Sequence, residues 1–331
     1  MKNSGIEIYR ILLCIWVVLF HYTTRYDVLY GHLQPFAFNF SNGGLAAVAV
    51  FFAISGFFVG RQCERMPNGG LRPAAIFFVK KILRLYPTYF CCVIISFVFL
   101  KIFYLPNRSE VGFLDLLVNL LFPAHPGYIF VDSAHWYMSA LVIACFLVAI
   151  FVLFNIHKKI LFFVFFIVVL YLFSCEKSYF SHIGSVLFLN RMSPFFGGYL
   201  FAIYKANHNR KFLLPILINL PLMMMSFGHL AYGFVLTVIL VILLSNPVEV
   251  FFCNNHKACV LGRLGSYSYA WYLLHQNIGY AIIWNMEKQG LVHEWFLVIP
   301  ILITFFMAYA CVKIILPPID KIIRDRSKCL L

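Results

Sequence analysis

Charged side chains are scarce in this 331-residue sequence, and acidic ones are the scarcest. Only 11% of the residues are charged, and 12 Asp and Glu stand against 26 Lys and Arg, which leaves a formal charge of +14. Hydrophobic residues make up 63% of the chain, and the mean hydropathy is +0.87. Since no soluble domain of this size needs so much apolar surface, the composition predicts a polytopic membrane protein.

Three further absences narrow the class of protein. The cations form no separate basic domain, so we expect no nucleic-acid partner. No internal repeat is visible, which weakens the case for a transporter built from inverted halves. The ten cysteines show no paired spacing outside the apolar segments, which favours small core residues over a disulfide framework or a metal site. Most of them lie within apolar segments, as do Cys14, Cys91, Cys92, Cys145 and Cys311.

Long apolar segments dominate the chain and predict an all-α bundle with about ten membrane spans. Several approach the roughly 20 residues that a helix needs to cross the hydrocarbon, whereas the fifth, seventh and eighth are short. The stretch 114–122 is too short to span and predicts a re-entrant or interfacial helix. We expect one membrane domain over residues 1–331 with no appended soluble domain. The predicted spans are 6–24, 43–60, 82–104, 136–154, 160–174, 184–204, 212–228, 229–245, 265–286 and 295–316.

The distribution of Lys and Arg predicts the orientation of these spans. Both residues concentrate in the loops after the second, fourth, sixth and eighth spans and in the C-terminal tail, whereas the alternate loops hold few. Short loops rich in Lys and Arg stay on the cytoplasmic side. We therefore expect a multi-pass protein of the inner (cytoplasmic) membrane with both termini in the cytoplasm. This orientation puts Arg10 near the cytoplasmic boundary and His21 toward the outer leaflet.

The first apolar segment carries an arginine and a histidine, two side chains that are energetically costly to place in the hydrocarbon core of a membrane. Ionisable residues within a span are functional candidates by default. Eleven residues at about 100° each complete three turns plus roughly 20°, so Arg10 and His21 share one helix face about 16 Å apart. Glu7 lies three residues before Arg10 and can partly neutralise it. The alternatives are an Arg10 that snorkels to the headgroups and an interfacial His21, but the shared face favours function.

Other polar residues in apolar segments allow two interpretations each. Lys81 and Arg84 are three residues apart at a helix start, where they either anchor the topology or bind an anionic ligand. Ser55 lies in a segment of small residues and serves either packing or a site. The run His135, Trp136, Tyr137 is typical of an aromatic belt. A mid-span stripe of hydroxyls and an imidazole favours the lining of a cavity over simple interhelical bonding. Its members are Ser268, Tyr272 and His275.

Taken together, these motifs resemble the acyltransferase-3 family of integral membrane acyltransferases over nearly the whole chain. Arg10 and His21 reproduce its first-helix pair, and the family's next motifs are similar to FFAISGFFVG, KKILRLYP, HWYM and LGRLGSYSYAWYLLHQ. The chain departs from the pattern at two positions. Lys81 replaces an arginine and so loses its bidentate geometry, and Leu141 stands where many relatives have a glutamate. The fused esterase-like domain found in many relatives is not expected here.

The resemblance implies transfer of an acyl group, usually acetyl, from cytoplasmic acyl-CoA to a hydroxyl of a glycan or lipid-linked sugar. His21 would then be the general base or a transient acyl carrier, and Arg10 would orient the donor. Lys81, Arg84 and Arg263 are the candidate contacts of the CoA phosphates. The resemblance implies no metal. Membrane lipid is expected as a further partner, and the oligomeric state, including a homo-oligomer, is left open. The candidate substrate contacts are Ser55, His135, Trp136, Tyr137, Tyr272 and His275.

Two other functions stay open on the residues alone. Intramembrane Arg and His also mark the pathways of transporters and proton-coupled carriers. A non-catalytic subunit of a glycan assembly complex would have the same composition.

Overall fold

A computed structural model of the chain describes residues 4–33, 40, 43–66, 68–121, 130–174, 184–185, 187–226, 230–319 and 321. Within these residues the secondary structure is helical and contains no strand, which confirms the predicted all-α class. The longer helices, in chain order, are α1 (Ser4–Tyr30), α2 (Gly43–Glu64), α3 (Leu71–Ile102), α4 (Phe113–Leu120), α5 (Trp136–Leu153), α6 (Ile160–Ser174), α7 (Ser193–Asn207), α8 (Leu213–Ser226), α9 (Leu230–Leu243), α10 (Asn246–Asn254), α11 (His256–Gly262), α12 (Ser268–Lys288) and α13 (Val298–Ala310).

Short turns of other helical types extend several of these helices. In α1 the α-helical part ends at Phe20, and a π-helical turn over His21–Arg25 leads into the last five residues. A 3-10 turn, Ser133–His135, precedes α5, and another, Leu264–Tyr267, precedes α12. The π-helical turn matters for the site, because such turns are rare and occur often at functional positions.

Five helices of the described residues are long and apolar enough to cross a membrane, and the bent pair α9–α10 makes six if it counts as one span. The chain is therefore a multi-pass membrane protein. The count of ten spans stays a prediction, since α6, α7 and α8 have 15, 15 and 14 residues, fewer than the roughly 20 that a crossing needs. The orientation of the termini also stays a prediction.

Helix α2 lies at the centre of the bundle and packs very closely against α7. A Cβ atom at Gly56 would overlap the carbonyl group of Phe195, and one at Gly198 would overlap that of Ala53. Without side chains at these two positions the backbones approach each other directly, which is how small residues join helices in membranes. This contact fixes the wall on which Ser55 and Phe51 lie.

Helix α12 is the polar member of the interior. It has 21 residues, yet it is not among the helices apolar enough to count as spans, and its residues from Ala270 to Ile283 are all buried. Helices α1, α3 and α13 pack around it. Because protein and not lipid surrounds this helix, its histidine, glutamine and asparagine side chains face no hydrocarbon.

Candidate functional site

A cavity of about 530 Å³ lies between α1, α2, α3, α5 and the start of α12. Its polar end is the cavity mouth, where the exposed side chains of Arg84 and Ser266 bring it to the surface. The residues that we group as the cavity mouth are Glu7, Arg10, Arg61, Gln62, Lys81 and Arg84.

The cavity mouth carries four cations and a single carboxylate. Arg10 makes an ion pair with Glu7 at 3.3 Å, and Arg61 lies 3.9 Å from Glu249 outside the cavity. The Lys81 ammonium lies 5.5 Å from the ring centroid of Phe77. Arg84 makes no ion pair within the described residues. The surplus of positive charge suits a ligand with several negative charges, such as a phosphate ester.

The opposite end of the cavity is closed by three aromatic side chains, Phe51, Tyr137 and Tyr272, which we call the inner wall. Along α2, Phe51 is ten residues from Arg61, which corresponds to about 15 Å of helix. The ring centroids of Tyr137 and Tyr272 are 5.2 Å apart. Ser55 lines the cavity beside this wall, and its hydroxyl lies 3.2 Å from that of Tyr137. The Tyr272 hydroxyl has no hydrogen-bond partner within the described residues.

His21 lies beyond the inner wall and does not line the cavity. The ring of His275 stands between them, with its centroid 5.5 Å from that of Tyr272 and 4.9 Å from that of His21. The Nδ1 atom of His21 lies 2.6 Å from the hydroxyl of the buried Tyr280. Its Nε2 atom makes no hydrogen bond within the described residues, and the side chain is partly exposed. Nε2 is therefore the nitrogen of His21 that remains for chemistry.

Two buried histidines stand behind the inner wall, each with one engaged nitrogen. The Nδ1 atom of His275 donates to the carbonyl of Tyr272 at 2.6 Å, and the Nε2 atom of His135 donates to the carbonyl of Leu273 at 3.0 Å. A carbonyl oxygen can only accept, so the proton positions follow from the partners. The second nitrogen of each ring is buried without a hydrogen bond in the described residues. Unpaired buried nitrogens are uncommon and point to a role beyond packing.

The structure separates the predicted site residues into three groups. Arg10, Lys81 and Arg84 meet at the cavity mouth, and Ser55, Tyr137 and Tyr272 meet at its inner end. His21 and His275 contact each other beyond the wall, and His135 bonds the carbonyl of Leu273 in α12. Trp136 packs on Phe52 with ring centroids 5.9 Å apart and does not reach the cavity. Arg263 is exposed and lies outside the cavity.

Three residues near the site were not predicted as site residues, although each has a recognisable feature in the sequence. Arg61 lines the cavity mouth but looks in sequence like one more topology anchor. Tyr280 follows Tyr272 by eight residues, about two turns, so it recurs near the same face of α12. Asp132 precedes the start of α5, where an acidic residue is a typical helix cap.

Asp132 joins the start of α5 to the middle of α12. The side chain is buried, and its two oxygen atoms accept hydrogen bonds from the backbone N–H groups of Ala134 and Asn277, both at 2.9 Å. The side-chain amide of Asn277 donates to the carbonyl of Val131, also at 2.9 Å. These bonds fix α12, and with it His275 and Tyr280, relative to α5.

Fold and cavity define the class: a polytopic helical membrane protein whose interior holds a cation-lined pocket beside a histidine pair. A comparison with known families matches residues 3–316 to the acyltransferase domain of the acyltransferase-3 family. The chain therefore belongs to this family, which confirms the resemblance drawn from its motifs. Neither the curated proteins nor the solved structures gave a match.

Proposed function

We propose that this membrane acyltransferase moves an acyl group, with acetyl expected, from acyl-CoA to a hydroxyl of a cell-envelope glycan or lipid-linked sugar. The observation that carries the proposal is the polarity of the cavity, which has cations at one end and an aromatic wall with hydroxyls at the other. In the predicted orientation of an inner-membrane protein, the cations face the cytoplasm, where acyl-CoA is made available. His21 then lies toward the outer leaflet, where a glycan is presented.

The donor fits the cavity in one direction. Its phosphates bind at the cavity mouth, where Arg10, Lys81 and Arg84 supply charge-assisted hydrogen bonds. The pantetheine arm runs inward along α2, and the thioester reaches the inner wall. There the Tyr272 hydroxyl, which has no partner in the described residues, donates to the thioester carbonyl as negative charge develops on its oxygen.

His21 handles the proton of the acceptor hydroxyl. With its own proton on Nδ1, donated to the Tyr280 oxygen at 2.6 Å, His21 has a bare Nε2 that acts as the base. The acceptor oxygen bonds to the carbonyl carbon, the C–S bond breaks, and the proton passes by way of His21 to the leaving thiolate. Since Tyr272 and His275 separate His21 from the cavity, these two rings must move for the reactants to meet. An acyl group carried on Nε2 is the alternative route.

Inside-out membrane vesicles with labelled acetyl-CoA test the proposal. The expected result is label in a lipid or glycan fraction, with loss of that label in the His21→Ala variant at equal protein levels. Movement of a solute without any acylated product would support a carrier instead. Acylation that persists in His21→Ala would support a non-catalytic subunit. Mass spectrometry of surface glycans with and without the protein identifies the acceptor.

A further inference from the structure

We propose that the inner wall of the cavity restricts the donor to short acyl chains, and that Tyr137 is the residue that sets this limit. The inference rests on the proposed function, because it assumes that the thioester enters from the cavity mouth. It concerns the space beyond the thioester carbonyl.

The inner wall closes the cavity from three helices at once. Phe51 comes from α2, Tyr137 from the first turn of α5 and Tyr272 from α12. Each is at most 8% exposed, and ring centroids lie 5.2 Å apart for Tyr137 and Tyr272 and 6.1 Å apart for Phe51 and Tyr272. An acyl chain that points inward therefore meets aromatic rings directly.

Two contacts hold the Tyr137 side chain in place, one with its ring and one with its hydroxyl. The ring of Phe52 packs on it with centroids 4.5 Å apart, and its hydroxyl lies 3.2 Å from that of Ser55. Tyr272 is supported by the ring of His275, whose Nδ1 atom is bonded to the Tyr272 carbonyl. Tyr272 and His275 are the rings that move for the reactants to meet, so the firm part of the wall is Tyr137. Its close packing against Phe52 resists displacement, and added chain length meets it there.

The cavity mouth fixes where the chain begins. A donor held by its phosphates at Arg10, Lys81 and Arg84 places its acyl end at a set depth, so each added methylene must find room at the inner wall. One methylene in an apolar pocket changes the specificity of an enzyme by about 10- to 200-fold. Butyryl carries two methylenes more than acetyl, so we expect the wild-type protein to prefer acetyl-CoA over butyryl-CoA by about 100-fold or more.

The experiment measures CoA release from acetyl-, butyryl- and octanoyl-CoA by full-length protein in inside-out vesicles that contain the endogenous acceptor. Tyr137→Ala opens the wall and should raise the butyryl-to-acetyl ratio of kcat/KM by about tenfold or more. Tyr137→Leu is the milder variant if the alanine variant folds poorly. Tyr137→Phe keeps the ring and should keep the wild-type ratio. Val79→Ala, at an exposed apolar residue of α3 outside the cavity, should also leave the ratio unchanged.

Two results would overturn the inference while the proposed function stands. One is a wild-type protein that uses octanoyl-CoA as well as acetyl-CoA. The other is a folded, active Tyr137→Ala or Tyr137→Leu protein whose ratio matches that of the wild type. If the wild-type protein releases CoA from none of the three thioesters, the proposed function itself is wrong and this inference is lost with it.

Discussion

Arg10, near the start of α1, and His21, eleven residues further along it, lie in opposite surroundings. The Arg10 side chain is 25% exposed, faces an open cavity and, within the described residues, makes an ion pair only with the neighbouring Glu7. His21 lies among the rings of Phe20, His275 and Tyr280, with centroids 5.2, 4.9 and 5.9 Å away. One helix thus combines an adaptable charged end with a packed and oriented imidazole.

Under the proposed function, this difference would separate donor binding at Arg10 from proton transfer at His21. Water and salt screen a cation in an open cavity, so its attraction to a ligand is weaker and depends less on the exact position of the ligand. A packed imidazole acts at a fixed position, and catalysis is sensitive to small changes in position. Substitutions at the cavity mouth should therefore raise the KM for the donor, whereas substitutions around His21 should lower kcat.

The largest effect is expected for His21→Ala. Loss of a general base costs about 100- to 10,000-fold in rate, so kcat in the vesicle assay should fall by that factor with little change in the KM for acetyl-CoA. His256→Ala, at an exposed histidine outside the cavity, is the matched control and should behave as wild type. A His21→Ala protein with normal kcat and raised KM would reverse the proposed division between the two ends.

The next largest effect is expected at the cavity mouth. Arg84→Ala removes a charge that makes no ion pair within the described residues. The substitution should therefore weaken donor binding without breaking an ion pair of the protein. A hydrogen bond to a charged group contributes about 1.5–3 kcal/mol, which corresponds to a rise in donor KM of roughly 13- to 160-fold. Arg72→Ala, at an exposed cation of α3 outside the cavity, should leave KM unchanged.

Salt sharpens this second measurement. A phosphate contact made by exposed cations weakens as ionic strength rises. The KM of the wild-type protein should therefore increase with salt more steeply than that of Arg84→Ala. Equal salt dependence in both proteins would mean that the Arg84 guanidinium does not contact the donor.

A smaller effect on kcat is expected for Tyr280→Phe. The variant removes the hydroxyl that lies 2.6 Å from the His21 Nδ1 atom, so the imidazole loses its orienting partner while the ring packing is kept. A neutral hydrogen bond contributes about 0.5–1.5 kcal/mol, so kcat should fall by roughly 2- to 13-fold at constant KM. Tyr199→Phe removes another buried hydroxyl, one that donates to the carbonyl of His157, and should leave kcat intact. An equal loss of kcat in both variants would mean that the Tyr280 hydroxyl contributes to packing and not to the orientation of His21.

The residues at the cavity mouth were accessible from sequence, because local rules determine them. Charges at the Lys-rich and Arg-rich ends of apolar segments gather on one side of a membrane, so Arg10, Lys81 and Arg84 were expected to lie together. Helical spacing likewise put Ser268, Tyr272 and His275 on one stripe, and Ser268 and Tyr272 line the cavity. The family motifs extended this expectation to Ser55 and Tyr137.

The surroundings of His21 were not accessible in the same way. Its hydrogen bond with Tyr280 joins residues 259 positions apart, and such a pairing depends on how α1 and α12 pack. The inner wall depends on three helices, so no single segment indicates that Tyr272 and His275 separate His21 from the cavity. Mean hydropathy alone does not reveal that α12 is buried within the bundle, since a helix enclosed by protein can be polar at membrane depth.

The smallest effect is expected for Arg263→Ala, and it limits how far the cavity mouth extends. Arg263 was expected from sequence to contact the CoA phosphates, but its side chain is exposed and lies outside the cavity, while its carbonyl accepts a hydrogen bond from Ser266 at 2.6 Å. Alanine keeps that carbonyl, so the turn before α12 should be preserved. Donor KM should therefore stay within about twofold of the wild-type value, as is usual for a surface charge that makes no fixed contact. A rise as large as that of Arg84→Ala would mean that the donor reaches past Ser266 over this turn, and the boundary between the cavity mouth and the protein surface would then move to include Arg263.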